Sequence, residues 1–277
     1  MNVDVIIIGG GQAGIPLAYA LAKAGQQVVL SERKNLGGSC VNFGCTPTKA
    51  AIASAKLAHQ ARRAHEYGLK ISNLEVDFPA VIERAKRIAF DSRSGLDDGL
   101  EQSSNPKLIR GHARLEGRNE ENGLFRVIVG EQLVFAKKIV LNTGTRSFIP
   151  KISGLEQIDV IHAGNWLEHS ILPKHLAVIG GGYIGLEMAQ FYARMGSQVT
   201  VFHTGLRLPR KKIKILLVNF KACSSEKVLS FSLGCIFSVL KLEPRVSKSV
   251  LNKMVKPRDL RSVMFLWQQD GLITPMT

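Results

Sequence analysis

Val3-Asp4-Val5-Ile6-Ile7-Ile8-Gly9-Gly10-Gly11-Gln12-Ala13-Gly14 opens the chain, and the reading of everything downstream depends on it. The run from Val3 to Ile8 has the pattern of a buried strand and passes straight into glycines. Ile15 to Ala24 then reads as a helix stopped by Gly25, and Val28-Val29-Leu30 as a second strand ending at Glu32. Strand, G-x-G-x-x-G, helix, strand and acid follow one another within about 30 residues, the pattern of a dinucleotide-binding βαβ unit. In that pattern Gly9 permits the tight turn, and Gly11 lets backbone N–H groups approach a pyrophosphate. Gly14 lets the helix pack on the strand, while the helix N-terminus adds partial positive charge. Glu32, 18 residues after Gly14, can accept both hydroxyls of an adenosine ribose. A glycine-rich turn alone is weak evidence, but here strand, helix and acid stand in register with it.

The next stretch is Gly37-Gly38-Ser39-Cys40-Val41-Asn42-Phe43-Gly44-Cys45-Thr46-Pro47-Thr48-Lys49. Pro47 favours the first turn of a helix, and the alanine-rich run from Ala50 to Ala64 continues it. Cys40 and Cys45 therefore fall at or just before a helix N-terminus, where the dipole favours thiolate. The residues between them, Gly44 included, permit a small disulfide-closed loop. Two structural thiols and a zinc site are the competing readings. Zinc needs further cysteine or histidine ligands, and neither Cys223 nor Cys235 forms a matching pair motif, so no metal site is expected.

Further along, Leu74 to Leu100 contains a helix, and Leu108 to Val140 alternates in short strands with turns at Glu116-Gly117 and Asn122-Gly123. Lys138 to Leu141 forms a strand that ends in Asn142-Thr143-Gly144-Thr145-Arg146-Ser147. A second fingerprint, Gly180-Gly181-Gly182-Tyr183-Ile184-Gly185, follows the strand Leu176 to Ile179. The strand Val199-Thr200-Val201-Phe202 should end in an acid for NADH or a basic cluster for NADPH. It ends in His203, with Arg207 nearby and no carboxylate, which favours NADPH.

On these motifs the sequence resembles the pyridine nucleotide–disulfide oxidoreductases of the mercuric reductase and dihydrolipoamide dehydrogenase type. The cysteine segment is similar to the family's redox-active motif G-G-T-C-x-N-x-G-C-x-P-[ST]-K, with Ser39 its single departure. Lys138 to Ser147 resembles a strand ending in A-T-G-x-R-P, with Asn142 for the usual alanine and Ser147 for the usual proline, both mild departures. The resemblance implies an α/β, Rossmann-like two-domain fold. Residues 1–150 would form a three-layer FAD-binding domain with the redox-active disulfide, and 151–210 an incomplete NAD(P)-binding domain. It implies FAD at Gly9, Gly11, Gly14, Glu32, Gly38, Lys49, Thr143, Gly144 and Arg146. NAD(P)H would lie at Gly180, Gly182, Gly185, His203 and Arg207.

The resemblance also assigns catalytic roles. Cys45 is the flavin-proximal thiol, Cys40 exchanges with substrate, and Lys49 approaches the flavin nitrogen that carries hydride, paired with Glu187. Hydride passes from NAD(P)H to FAD, and electrons then reach the Cys40–Cys45 disulfide and a disulfide or metal-ion substrate. Mercury specificity in the family rests on C-terminal cysteines and often an N-terminal C-x-x-C domain. Neither stands in this sequence, so dihydrolipoamide- and glutathione-type substrates stay open. Family members homodimerise through a C-terminal domain.

After Arg210 every family landmark vanishes. The whole chain carries a net charge of +15, and residues 211–277 hold 12 basic and 4 acidic side chains, more than half of that excess. A frame slip accounts for this tail. Read one base off, Leu266-Trp267-Gln268-Gln269-Asp270-Gly271 can encode Val-Ala-Thr-Gly-Arg, the missing family strand. Cys223 to Leu229 (with Ala222) can give Met-Leu-Glu-Arg-Glu-Gly-Ile, and Lys211 to Ile215 can give Glu-Asp-Gln-Asp. The tail is therefore expected to be out of frame, non-homologous and without the dimerisation domain. It should be poorly ordered and unable to complete the second domain's parallel sheet. A catalytically inactive nucleotide-binding fragment is the alternative function. A basic nucleic-acid-binding tail is disfavoured, because aromatics or glycines are not interleaved with the lysines. No run reaches the roughly 18–20 apolar residues of a membrane span. Four cysteines are too few for a disulfide scaffold, and a cytoplasmic protein with no membrane partner is expected.

Overall fold

A computed structural model describes residues 1–150 and 155–202, with 262–265 as backbone. By internal contacts these form two compact units, one of Met1–Ala50 with Glu83–Thr145, the other of Ala51–Ile82 with the described residues from Arg146 on.

The first unit begins with β1 (Asn2–Ile8), α1 (Gly14–Lys23) and β2 (Val28–Glu32). Then come α2 (Gly38–Asn42), α3 (Cys45–Arg62) and α4 (Phe78–Glu101), the last two contributing residues to both units. The strands β3 (Lys107–Arg110), β4 (Ala113–Arg118), β5 (Phe125–Val129) and β6 (Gln132–Leu141) complete it, in the sheet order β3-β2-β1-β6-β5-β4. β1 and β2 are buried on both faces, as central parallel strands require. Val5, Ile7, Val28 and Leu30 pack with Ile15 and Ala18 of α1 and Leu100 of α4. Val3, Ile6 and Val29 pack instead with Val127, Val129, Val134 and Ala136 of β5 and β6. The unit is thus a helical layer, a parallel sheet and an antiparallel ribbon. β6 links the last two, pairing at its start with β5 and from Phe135 to Leu141 with β1.

One expected turn is a different feature. Glu116-Gly117 lies inside β4, where the register with β5 shifts between Leu115 and Arg118. Gly117, at φ +82°, absorbs that irregularity as a bulge, and the chain reverses at Asn122-Gly123 instead.

The second unit contains β7 (Val160–His162), β8 (His175–Ile179), α5 (Tyr183–Met195), β9 (Gln198–Phe202) and β10 (Ser262–Phe265). All four strands are parallel, in the order β7-β10-β8-β9. Its core holds an aromatic cluster in which Phe191 lies 5.0 Å from Tyr192 and 6.0 Å, edge-on, from Trp166, with Phe78 5.8 Å from Phe191. The expectation that the tail cannot complete this sheet is corrected here, because Ser262–Phe265 pairs with β7 on one side and β8 on the other. The ladder is made of backbone N–H and C=O groups that every non-proline residue carries, and Ser-Val-Met-Phe is compatible with a strand. The order and cleavage expected of the rest of the tail lie outside the described residues. Among the described residues no helix is long and apolar enough to cross a membrane.

Candidate active site

The two glycine fingerprints fold alike. Gly9 sits at φ +112°, and Gly180 at φ +114°. A Cβ on Gly14 would lie 2.1 Å from the Gly9 carbonyl oxygen, and one on Gly185 2.0 Å from that of Gly180. Packing of helix on strand therefore forces Gly14 and Gly185. Gly11 and Gly182 have a different cause. A Cβ on Gly11 would meet nothing closer than 3.4 Å, and one on Gly182 nothing within 4 Å among the described residues. No protein atom there demands glycine, since Gly182 borders open space and Gly11 would keep only ordinary contact with Asn142 and Gly38. That is the form of a phosphate cradle.

Around the first cradle a ring of hydrogen bonds fixes the loops. Glu32 is held at both carboxylate oxygens, Oε2 accepting from the Gly10 N–H and Oε1 from the Lys34 N–H, each at 2.8 Å. The Gly37 N–H donates to the Gly10 carbonyl at 2.7 Å, and Gly38 (φ +61°) comes so near that its Cβ would lie 2.9 Å from the Gly11 Cα. Two residues outside the expected site hold this arrangement. Asn42 donates from Nδ2 to the carbonyls of Leu36 and Gly38, each at 2.8 Å, and accepts from Arg93 at 3.4 Å. Asn142 donates from Nδ2 to the Gly9 carbonyl at 3.0 Å. The signals were present in sequence, since Asn42 stands inside the cysteine motif and Asn142 departs from the strand pattern that ends in A-T-G-x-R-P.

Gly44 shapes the redox pair. Its N–H donates to the Ser39 carbonyl at 2.7 Å, and a Cβ there would approach that oxygen to 2.8 Å. The resulting tight turn joins α2, which carries half-buried Cys40, to α3, whose first residue is exposed Cys45. Both thiols are free, and Cys40 is in hydrogen-bonding contact with the side chain and backbone N–H of Cys45. The expected thiolate character is corrected for Cys40. Burial, and next the Cys45 side chain, push its thiol above the ordinary range. Lys49, exposed, stands four residues after Cys45 and so on the same face of α3.

The remaining expected residues divide between the units. Thr143 and Gly144 (φ +71°) follow β6, exposed, in the first unit. Arg146 opens the second, and half-buried Glu187 lies in α5 of the second, whereas Lys49 belongs to the first. His203 and Arg207 lie outside the described residues.

The sequence model for the family described as pyridine nucleotide-disulphide oxidoreductase matches residues 3–215. The chain belongs to that family. The mercuric reductase of Streptomyces lividans is 34% identical to this oxidoreductase-family chain over 202 residues, 72% of the chain and 42% of its own length. Dihydrolipoyl dehydrogenase 1, mitochondrial, of Arabidopsis thaliana is 33% identical over 201 residues, 72% of the chain and 39% of its own length. A solved structure, the Cu(II) complex of the HOCl-induced flavoprotein disulfide reductase RclA from Escherichia coli, superposes with a TM-score of 0.62 at 32% identity. It covers 78% of this chain and 45% of its own. The oxidoreductase-family chain thus spans less than half the length of these relatives.

Proposed function

We propose that this chain binds FAD and a nicotinamide nucleotide and passes electrons through the Cys40–Cys45 pair to a disulfide or metal-ion substrate. The observation that carries the reading is two thiols in contact across the turn from α2 to α3, in the same unit as a glycine loop whose Gly11 faces no crowding protein atom. In this reading residues 1–150 are the FAD-binding domain and 151–210 the opening of the nicotinamide-binding domain. Residues 211–277 are an out-of-frame read.

FAD held by the first domain would supply the redox chemistry between a nicotinamide hydride and the disulfide. The chain's own groups do the rest. Backbone N–H groups at Gly11 to Gly14 and the start of α1 would hold the diphosphate, and the pinned Glu32 carboxylate would accept hydrogen bonds from the ribose hydroxyls. Lys49 puts a cation on the Cys45 face of α3. Opening the disulfide yields two sulfurs and takes up protons, and Cys40, with its raised pKa, keeps its proton at neutral pH. Its exchange with substrate then needs a base to accept that proton. NADPH is the favoured nucleotide, because β9 runs on into His203 and Arg207 without a carboxylate. Both mercury-type and dihydrolipoyl-type acceptors fit this chemistry, and a reducing cytoplasm suits the dithiol.

The test is reconstitution of the full chain with FAD, followed by anaerobic titration with NADPH and a count of reactive thiols. Wild-type protein, oxidised beforehand to close the Cys40–Cys45 disulfide, should bind flavin and gain two thiols on reduction, and Cys40→Ser should gain none. Flavin binding without the thiol gain would mean a nucleotide-binding chain that does not turn over. No flavin binding would end the reading.

A further inference from the structure

We infer that Asn142 is a positioning residue for the nucleotide diphosphate, locking the first glycine loop from the neighbouring strand. The inference rests on the FAD reading above and adds a residue to it.

The sheet register puts Asn142 there. β6 stays paired with β1 up to Leu141 opposite Ile8, and the Asn142 backbone N–H then donates to the Ile8 carbonyl at 2.8 Å. The next groups along both chains are the Asn142 side chain and Gly9. Nδ2 donates to the Gly9 carbonyl at 3.0 Å. The same nitrogen lies 2.8 Å from where a Gly14 Cβ would stand and 3.4 Å from where a Gly11 Cβ would stand. One amide nitrogen therefore borders all three glycines of the fingerprint.

An alanine at this position has no donor. The Gly9 carbonyl, turned by its positive φ toward the end of β6, would lose its side-chain partner. The turn that aims the following N–H groups would lose a tether to the neighbouring strand. Asn142 is half-buried, and its Oδ1 and second N–H have no other partner among the described residues, so one amide hydrogen is still available beside the cradle. The substitution that looks mild in sequence thus replaces a methyl group with a hydrogen-bonding brace.

The experiment measures FAD and ADP-ribose binding to the full chain by fluorescence quenching and by competition. Asn142→Ala should weaken both by about tenfold, the loss of roughly one hydrogen bond. The unfolding temperature of its flavin-free form should fall by no more than the loss of one hydrogen bond accounts for. Asn142→Asp should bind more weakly still at pH 8, where a carboxylate faces the Gly9 oxygen and the diphosphate. Its affinity should recover as the pH falls and the aspartic acid regains a proton to donate, a profile that a purely structural residue would not produce. Both variants binding FAD within about twofold of wild type would overturn the inference. If wild type itself binds no FAD, the functional reading fails, and amide exchange at Gly9 to Gly14 in Asn142→Ala decides. Faster exchange there supports the brace, and unchanged exchange overturns it.

Discussion

At the scale of single residues, the site depends on side chains that hold backbone rather than ligand. Asn42 satisfies the carbonyls of Leu36 and Gly38 and accepts from Arg93, so one carboxamide orders the whole approach to Cys40. Asn42→Leu should cost about 1–3 kcal/mol of stability, because it strands partly buried carbonyls without a donor. Urea unfolding of the flavin-free chain measures it, and an unchanged midpoint would mean that the loop closes without Asn42. The thiols give a second expectation. Burial and Cys45 hold Cys40 above the ordinary thiol value of 9.0, so the folded state disfavours its charged form. Alkylation of Cys40 by iodoacetamide should lag an unstructured cysteine at neutral pH and catch up only as pH rises past that value. Peptide mass spectrometry of the reduced protein reads the profile, and a midpoint below 9.0 would contradict the assignment.

At the scale of elements, α5 and the end of α3 give contrasting cases of buried polarity. Tyr192 lies fully buried among Phe78 and Phe191, and among the described residues its hydroxyl has no hydrogen-bond partner. Burial alone pushes its pKa far up. Tyr192→Phe keeps the ring packing and removes the stranded hydroxyl, and it should be neutral or stabilising by about 1 kcal/mol in thermal unfolding. A clear loss of stability would mean the hydroxyl has a partner. At the end of α3, Arg62 donates to the carbonyl of Arg194 in the last turn of α5, where a cation offsets the helix dipole. His59 faces this group, and burial first, then Arg194, Arg63 and Arg62, lower its pKa against the opposing pull of Glu66. The fold therefore prefers His59 neutral. As pH falls below 6.5 the unfolded chain takes up the proton first, so this contribution to stability is lost on acidification. The stability of His59→Gln should fall less between pH 7 and pH 5 than that of wild type, and parallel curves would remove His59 as the cause.

At the scale of the whole molecule, β10 ties the tail into the sheet of the second unit. Four residues from the far side of the tail pair in parallel with β7 and β8, next to the strand that leads into the second fingerprint. A proline at Val263 removes a ladder N–H from a central strand and should loosen its pairing with both neighbours. Val263→Pro should therefore speed amide exchange in β8 and weaken NADPH binding. A silent substitution would mean the tail does not pair, as an out-of-frame read implies. Sequencing the gene across the codons for residues 205–215 checks the frame directly.

What the sequence by itself determined was local backbone geometry. Gly9, Gly14, Gly180 and Gly185 were legible because a positive φ or an approach near 2 Å leaves no other residue possible. The Cys40–Cys45 turn was legible because its geometry is set within a few neighbouring residues. The bulge at Gly117 was misread as a turn, since a glycine's freedom marks both and only the partner strand distinguishes them. The grip of Asn142 on Gly9 spans 133 positions and exists only because β6 pairs with β1 in one register. The raised pKa of Cys40 comes from burial, which no local pattern encodes. β10 pairs through backbone groups common to nearly every residue, so its place in the sheet follows from the slot between β7 and β8 and not from a motif.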